Sequence, residues 1–236
     1  RAVVGEAFLR AGDTERDLGQ RYAEVTSQLA PSTPPALAYA FNQHLRQVIA
    51  SDMVGHAERN AGRLVGGTQI TVCFADLVGF TSLGERVAPE ELGEVADRLG
   101  SLARDLARRP VRLVKTIGDA AMLVSREPAP LLDAALELVD TAERSEDLPQ
   151  LRAGLASGAA LNRGGDWYGS PVNLASRVTG IARAGSVLTT EDVYAEAGEE
   201  RYRWSYAGER ALKGVRHPVK VFRARVSPED GDRADE

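Results

Sequence analysis

The stretch from Gln69 to Ala160 carries the pattern that most restricts this chain, because strand-like and helix-like runs follow one another there as β-α-β-β-α-β. Gln69-Ile70-Thr71-Val72-Cys73-Phe74 is a β-rich apolar run. Pro89 to Arg108 sets Leu92, Val95, Leu99, Leu102 and Leu106 along one side of a helix. Val111–Thr116 and Ala120–Ser125 flank Ile117-Gly118-Asp119, which predicts a hairpin. A helix over Pro130–Arg144 and a strand over Leu151–Ala160 close the unit. That order is the ferredoxin-like one, an α+β core. A C-terminal extension adds a helix near Val172–Ile181 and short strands near Val187, Tyr202 and Val219.

The segments on either side have another texture. Gly5–Ala30 and Ala36–Arg59 are charged, with apolar residues at helical spacing, and Pro31-Ser32-Thr33-Pro34-Pro35 separates them. Gly62, Gly66 and Gly67 then read as a linker. This division gives a helical N-terminal segment over 1–62, a core domain over 63–226 and an acidic, disordered tail over 227–236. The chain opens at Arg1 within helical sequence, so we expect a piece of a longer protein.

Composition excludes several classes. A formal net charge of −5 gives no global basic field for a phosphate backbone, which argues against nucleic acid and requires any anionic ligand to find a local cationic site. Cys73 is the single cysteine, so an intrachain disulfide and a cysteine zinc site are excluded, and its apolar run predicts a core thiol. No stretch approaches the roughly twenty apolar residues of a membrane span, and no signal segment opens the chain, so the cytoplasm is the expected compartment.

Three clusters carry possible chemistry. Asp76 follows an apolar strand in Phe74-Ala75-Asp76-Leu77-Val78-Gly79-Phe80-Thr81, a setting for a divalent metal with phosphates but also for a plain turn carboxylate. Asp119 sits in the hairpin turn of Lys115-Thr116-Ile117-Gly118-Asp119, where Asp beside Gly is ordinary turn chemistry. The first strand and the central hairpin are neighbours in this order, so the two carboxylates can converge on two metals. In the third cluster, Asn173 and Arg177 are four residues apart and share one side of a helix, as a solvated polar face also would.

Together these segments resemble the catalytic domain of class III adenylyl and guanylyl cyclases across roughly Thr68 to Val226. The resemblance lies in Phe74–Thr81, in Lys115–Asp119, in Asp166-Trp167-Tyr168-Gly169 with Val172, Asn173, Ala175 and Arg177, and in Leu212-Lys213-Gly214 with the later Pro218–Phe222. It implies conversion of ATP to 3′,5′-cyclic AMP and pyrophosphate. Asp76 and Asp119 would hold two Mg²⁺ or Mn²⁺ ions, and Lys115 and Asp166 would select adenine. Asn173 would orient the ribose, Arg177 would stabilise charge at the α-phosphoryl group, and Lys213 would meet the distal phosphates. It further implies a homodimer whose composite sites take the metal carboxylates from one subunit and the base and transition-state residues from the other. The mycobacterial-type members of the family often carry a helical regulatory segment ahead of this domain.

Rival readings rest on less. Gly164-Gly165-Asp166 matches the start of a diguanylate cyclase signature, but Trp167-Tyr168 follow in place of Glu-Phe. A non-catalytic module of the same fold, or a guanylyl cyclase, remains the alternative. No P-loop is present. His44 and His56 lie in the N-terminal segment, at a spacing that does not bring them to one helix face.

Overall fold

The computed structural model describes residues 67–198 and 200–227. The expected N-terminal helical segment, His44 and His56, and the tail beyond Ser227 lie outside that range.

Seven strands form one sheet in the order β2-β3-β1-β4-β6-β8-β7. They are β1 (Thr68–Leu77), β2 (Arg112–Ile117), β3 (Ala120–Ser125), β4 (Leu151–Arg163), β6 (Ser186–Thr190), β7 (Tyr202–Arg210) and β8 (Val219–Val226). A short β5 (Asp166–Tyr168) pairs with β4. The first four sheet positions are the ferredoxin-like arrangement read from the sequence. All their pairings are antiparallel, and β6 adds to β4 in parallel.

Helices cover both faces. α2 (Pro89–Leu106) packs on β3 and β2, and α3 (Pro128–Arg144) packs on β1 and β4; Leu99, Ala103, Leu131, Leu132 and Leu138 of these helices share one core with Cys73, Ala75 and Leu77 of β1 and Ala121 and Leu123 of β3. Both begin with proline in the first turn, whose N–H groups have no intrahelical acceptor, and both end with an arginine beside the carbonyl end. That tolerance is why α3 starts at Pro128 rather than at Pro130. Cys73 is fully buried in this layer, and burial pushes its thiol up to about 12. A short α1 (Phe80–Leu83) follows β1, and α5 (Glu191–Ala197) follows β6.

The opposite face takes one helix, α4 (Ser170–Ile181), packed on β4 and β1. Here β4 presents only Gly154, Ala156, Gly158 and Ala160, the alternate positions of the strand. Pro171 sits over Gly158 and Thr179 over Gly154. Eight helical residues rise about 12 Å and four strand residues about 13 Å, so the two contacts stay in step. Thr179 Oγ1 then donates to the Phe74 carbonyl at 3.2 Å or the Ala175 carbonyl at 2.8 Å. Ile70, Val72, Met122 and Ala175 form the core beneath the N-terminal part of this helix.

Several boundaries differ from the sequence reading, each for a pairing reason. β1 continues through Asp76 and Leu77, because Asp76 is flanked by Ala120 and Arg152. β4 extends to Arg163 because it turns back into β5 through Gly164 and Gly165, at φ 60° and 87°. A two-residue hairpin with positive φ at both central positions is the type I′ turn, and glycine fits it without strain. Those two glycines are therefore turn residues. Among the described residues no helix is long and apolar enough to cross a membrane.

A Cβ at position 154 would lie 2.3 Å from the Thr179 backbone nitrogen and 2.6 Å from its Oγ1. Gly154→Ala should therefore lower stability by about 1–3 kcal/mol, the usual range for an overpacked core. An unchanged urea midpoint would refute this seating of α4.

Candidate active site

Asp76 and Asp119 come together at one end of the sheet. Asp76 lies on the face that bears α4, continuing the Ile70, Val72, Phe74 side of β1. Asp119 occupies the second position of the β2–β3 turn, after Gly118 at φ 59°. Its backbone carbonyl accepts from Leu77 N–H at 3.0 Å, which ties the turn to the end of β1. Burial is the main influence that raises the Asp119 carboxyl above its ordinary value, and the Asp76 charge adds to it. A hydrogen bond from its own backbone and the Arg152 charge act in the other direction. Among the described residues no group of three or more His, Cys, Asp and Glu gathers to hold a metal. Two carboxylates without further protein ligands suit a hard divalent cation that keeps waters and binds phosphate oxygens.

Arg152 is the residue that sequence reasoning missed. It stands directly opposite Asp76 on β4, and its Nε and Nη2 donate to Asp76 Oδ2 at 2.9 and 2.6 Å. Nη1 also reaches the Gly180 carbonyl at 3.3 Å. An arginine among the small and apolar residues of Leu151–Ala160 was the available signal.

Lys115 and Asp166 form the second group. Their side chains make an ion pair, Nζ to Oδ2, and the Trp167 N–H donates to Asp166 Oδ1 at 2.9 Å. A register shift between Leu113 and Lys115 makes this possible. Leu113 opposes Leu123 on the α2–α3 face, whereas Lys115 opposes Met122 on the α4 face. In unbroken register Lys115 would oppose Ala121 and point to the wrong side, because a strand alternates faces at every residue. Tyr168, next to this pair, has its hydroxyl pKa raised by burial first and by the Asp166 charge second.

Asn173 and Arg177 are both exposed on α4, away from the buried Pro171, Ala175 and Thr179. Among the described residues neither side chain makes a hydrogen bond or an ion pair. Lys213 is exposed in the loop between β7 and β8. Its neighbour Leu212 is buried in a cluster with Val178, Ala182, Leu188 and Val221, which fastens that loop beside α4. The structure thus gathers Asp76 with Asp119, and Lys115 with Asp166. It leaves Asn173, Arg177 and Lys213 facing outward.

The sequence profile of the adenylate and guanylate cyclase catalytic domain matches residues 66–224. The chain belongs to the class III nucleotidyl cyclases. A pH-sensitive adenylate cyclase of Mycobacterium tuberculosis is 49% identical over 225 residues, covering 93% of this chain and 57% of the relative. An adenylate cyclase of Streptomyces coelicolor is 37% identical over 192 residues, covering 78% of this chain and 48% of its own length. This cyclase chain thus spans about half the length of these relatives. Among solved structures, the catalytic core of a rhodopsin-guanylyl cyclase with converted specificity, in complex with ATPαS, superposes with a TM-score of 0.62. It is 22% identical, over 68% of this cyclase and 96% of that chain, so it bears on the fold alone.

The raised Asp119 carboxyl has a stability consequence. The folded cyclase keeps this proton to a higher pH than the unfolded chain, so stability drawn from the group falls as pH rises through the window above 3.8. Asp119→Asn removes that penalty. In EDTA the variant should be the more stable protein at pH 7, with the advantage fading as pH drops below the ordinary carboxylate range. Urea titrations across pH check this, and equal or lower stability at pH 7 would contradict it.

Proposed function

We propose that this domain is an adenylyl cyclase, converting ATP to 3′,5′-cyclic AMP and pyrophosphate at composite sites of a homodimer. The observation that carries the choice of substrate is the Lys115–Asp166 pair. It presents a donor and an acceptor side by side, as needed for adenine N1 and the exocyclic amine. Guanine presents the reverse pattern along that edge, so the same pair disfavours it.

In this reading Asp76 and Asp119 hold two divalent ions. Ions held there would supply Lewis acidity to the ribose 3′-hydroxyl and positive charge to the triphosphate. Arg152 already neutralises Asp76 and lies where polyphosphate charge would arrive. Asn173 hydrogen-bonds the ribose and fixes the direction of the 3′-oxygen. That oxygen gives up its proton to solvent and forms its bond to the α-phosphorus while the bond from the α-phosphorus to the α,β-bridging oxygen breaks, and pyrophosphate leaves. Arg177 stabilises the charge that builds on the α-phosphoryl oxygens. Lys213 holds the distal phosphates. Asn173 and Arg177 face away from their own core, and Ile117, next to the metal-turn Gly118-Asp119, is 51% exposed. Both features support completion of the site by a second copy.

Incubation with ATP or GTP and Mn²⁺, with products identified by chromatography, tests the substrate. Cyclic AMP should form from ATP, and preferential turnover of GTP would reject the base assignment. A mixing experiment tests the composite site. Asp76→Ala and Arg177→Ala homodimers should each lose about a hundredfold or more in rate. In a mixed dimer both lesions fall in one site and the other site is intact. Random pairing of equal amounts makes half the dimers mixed, so activity should return to about a quarter of wild type. With subunit exchange verified by tagged pull-down, no recovery would mean that each chain builds its own site.

A further inference from the structure

The α4 face of the sheet carries a second concentration of charge, on β7, on β8 and in the turn before β6. Arg223 lies in register between Leu188 and Ser205, and Arg225 stands directly opposite Arg203. Like charges facing each other across an antiparallel pair destabilise a sheet. Arg183, from the turn between α4 and β6, and Arg210, at the end of β7, face the same place. With Ser186 and Ser205 they line a cavity of about 280 Å³.

These cations lack the partners that structural arginines usually have. Six ion pairs are formed among the described residues, and none includes Arg183, Arg203, Arg210, Arg223 or Arg225. Arg210 Nη2 donates to the Ala207 carbonyl at 2.7 Å, and Arg223 Nη2 reaches the Gly185 carbonyl at 3.5 Å. The Nε of Arg223 is buried and has no acceptor at all. A buried donor left without an acceptor is costly, and a protein of net charge −5 has ample carboxylates with which to supply one. Burial first, then the charges of Arg225 and Arg183, lower the Arg223 pKa, and only Glu143 opposes them.

We propose that this cavity is an anion site for a phosphate-type oxyanion of about the size of pyrophosphate, with Arg223 at its floor and Arg183, Arg210 and Arg225 around its rim. The planar guanidinium fork matches phosphate oxygens two at a time, and the serine hydroxyl of Ser205 adds a further donor. The volume sits at or below the lower end of small-molecule sites, which fits a compact anion and is tight for a whole nucleoside triphosphate. A concave site with a buried donor suits a free anion better than the flat carboxylate surface of a partner protein. The proposal does not depend on the catalytic reading above.

The test is equilibrium dialysis of the full chain with radiolabelled pyrophosphate in EDTA. A Lys213→Ala background removes one cation of the proposed nucleotide site. One equivalent per chain should bind saturably. Arg223→Gln and the change Arg225→Gln at an exposed position should each weaken it about tenfold or more, since a hydrogen bond to a charged group is lost. Arg144→Gln, at an exposed arginine paired with Asp140, should leave it unchanged. No saturable binding, or equal affinity in the Arg223 and Arg225 variants, overturns the proposal. If those variants instead shift the monomer–dimer equilibrium in sedimentation and leave anion binding untouched, the cluster serves a second copy of the chain, and the anion site is rejected.

Discussion

The close seating of α4 on β4 is the constraint on which the rest of this domain depends. Helices normally pack on sheets through interdigitated side chains, about 10 Å from the sheet. Here the strand offers hydrogens and methyl groups at four successive inward positions, and Thr179 occupies the space that a side chain at position 154 would fill. Close packing leaves little freedom of rotation, so the buried Pro171, Ala175 and Thr179 fix which side of the helix faces out. Asn173 and Arg177 gain their direction from that contact. So does Lys213, because the loop that carries it is fastened by Leu212 to Val178 and Ala182 of the same helix region.

Electrostatics within the domain follow one theme. The carboxylates of the candidate site are matched to cations inside the chain: Asp76 to Arg152, and Asp166 to Lys115. Each pair is only partly buried, where an ion pair is worth little on balance and can be exchanged for ligand contacts. Asp119 forms no such ion pair, and burial first, with the Asp76 charge adding to it, holds its carboxyl above the ordinary value. The arginines on β7 and β8 show the opposite imbalance, cation without anion. Uncompensated charge of either sign reads most simply as the imprint of a ligand.

Much of this was legible in the sequence. The period-two and period-3.6 patterns gave the order of elements, and burial of the Leu99 side of the first long helix follows from them. The candidate residues were legible through their resemblance to a family rather than through physics, because an Asp at a strand end or an Asn four residues before an Arg is ordinary when met alone. The Gly164-Gly165-Asp166 tripeptide shows the limit of motif reading. In the folded chain its glycines serve a type I′ turn, and only the aspartate faces Lys115. Arg152 escaped notice because its meaning lies in strand pairing: it is 76 residues from Asp76 in the chain and directly opposite it in the sheet.

By itself, then, the sequence determined the α+β alternation and the stretches that bear chemistry, since hydrophobic period and turn residues are local properties. The tertiary structure alone decided which side chains share a face. The bulge at Val114 turns Lys115 toward Asp166, and the register of β1 with β4 sets Arg152 beside Asp76. Both are one-residue matters of alignment between strands. A shift of one residue reverses every side chain on a strand, and no local pattern in either strand carries that information.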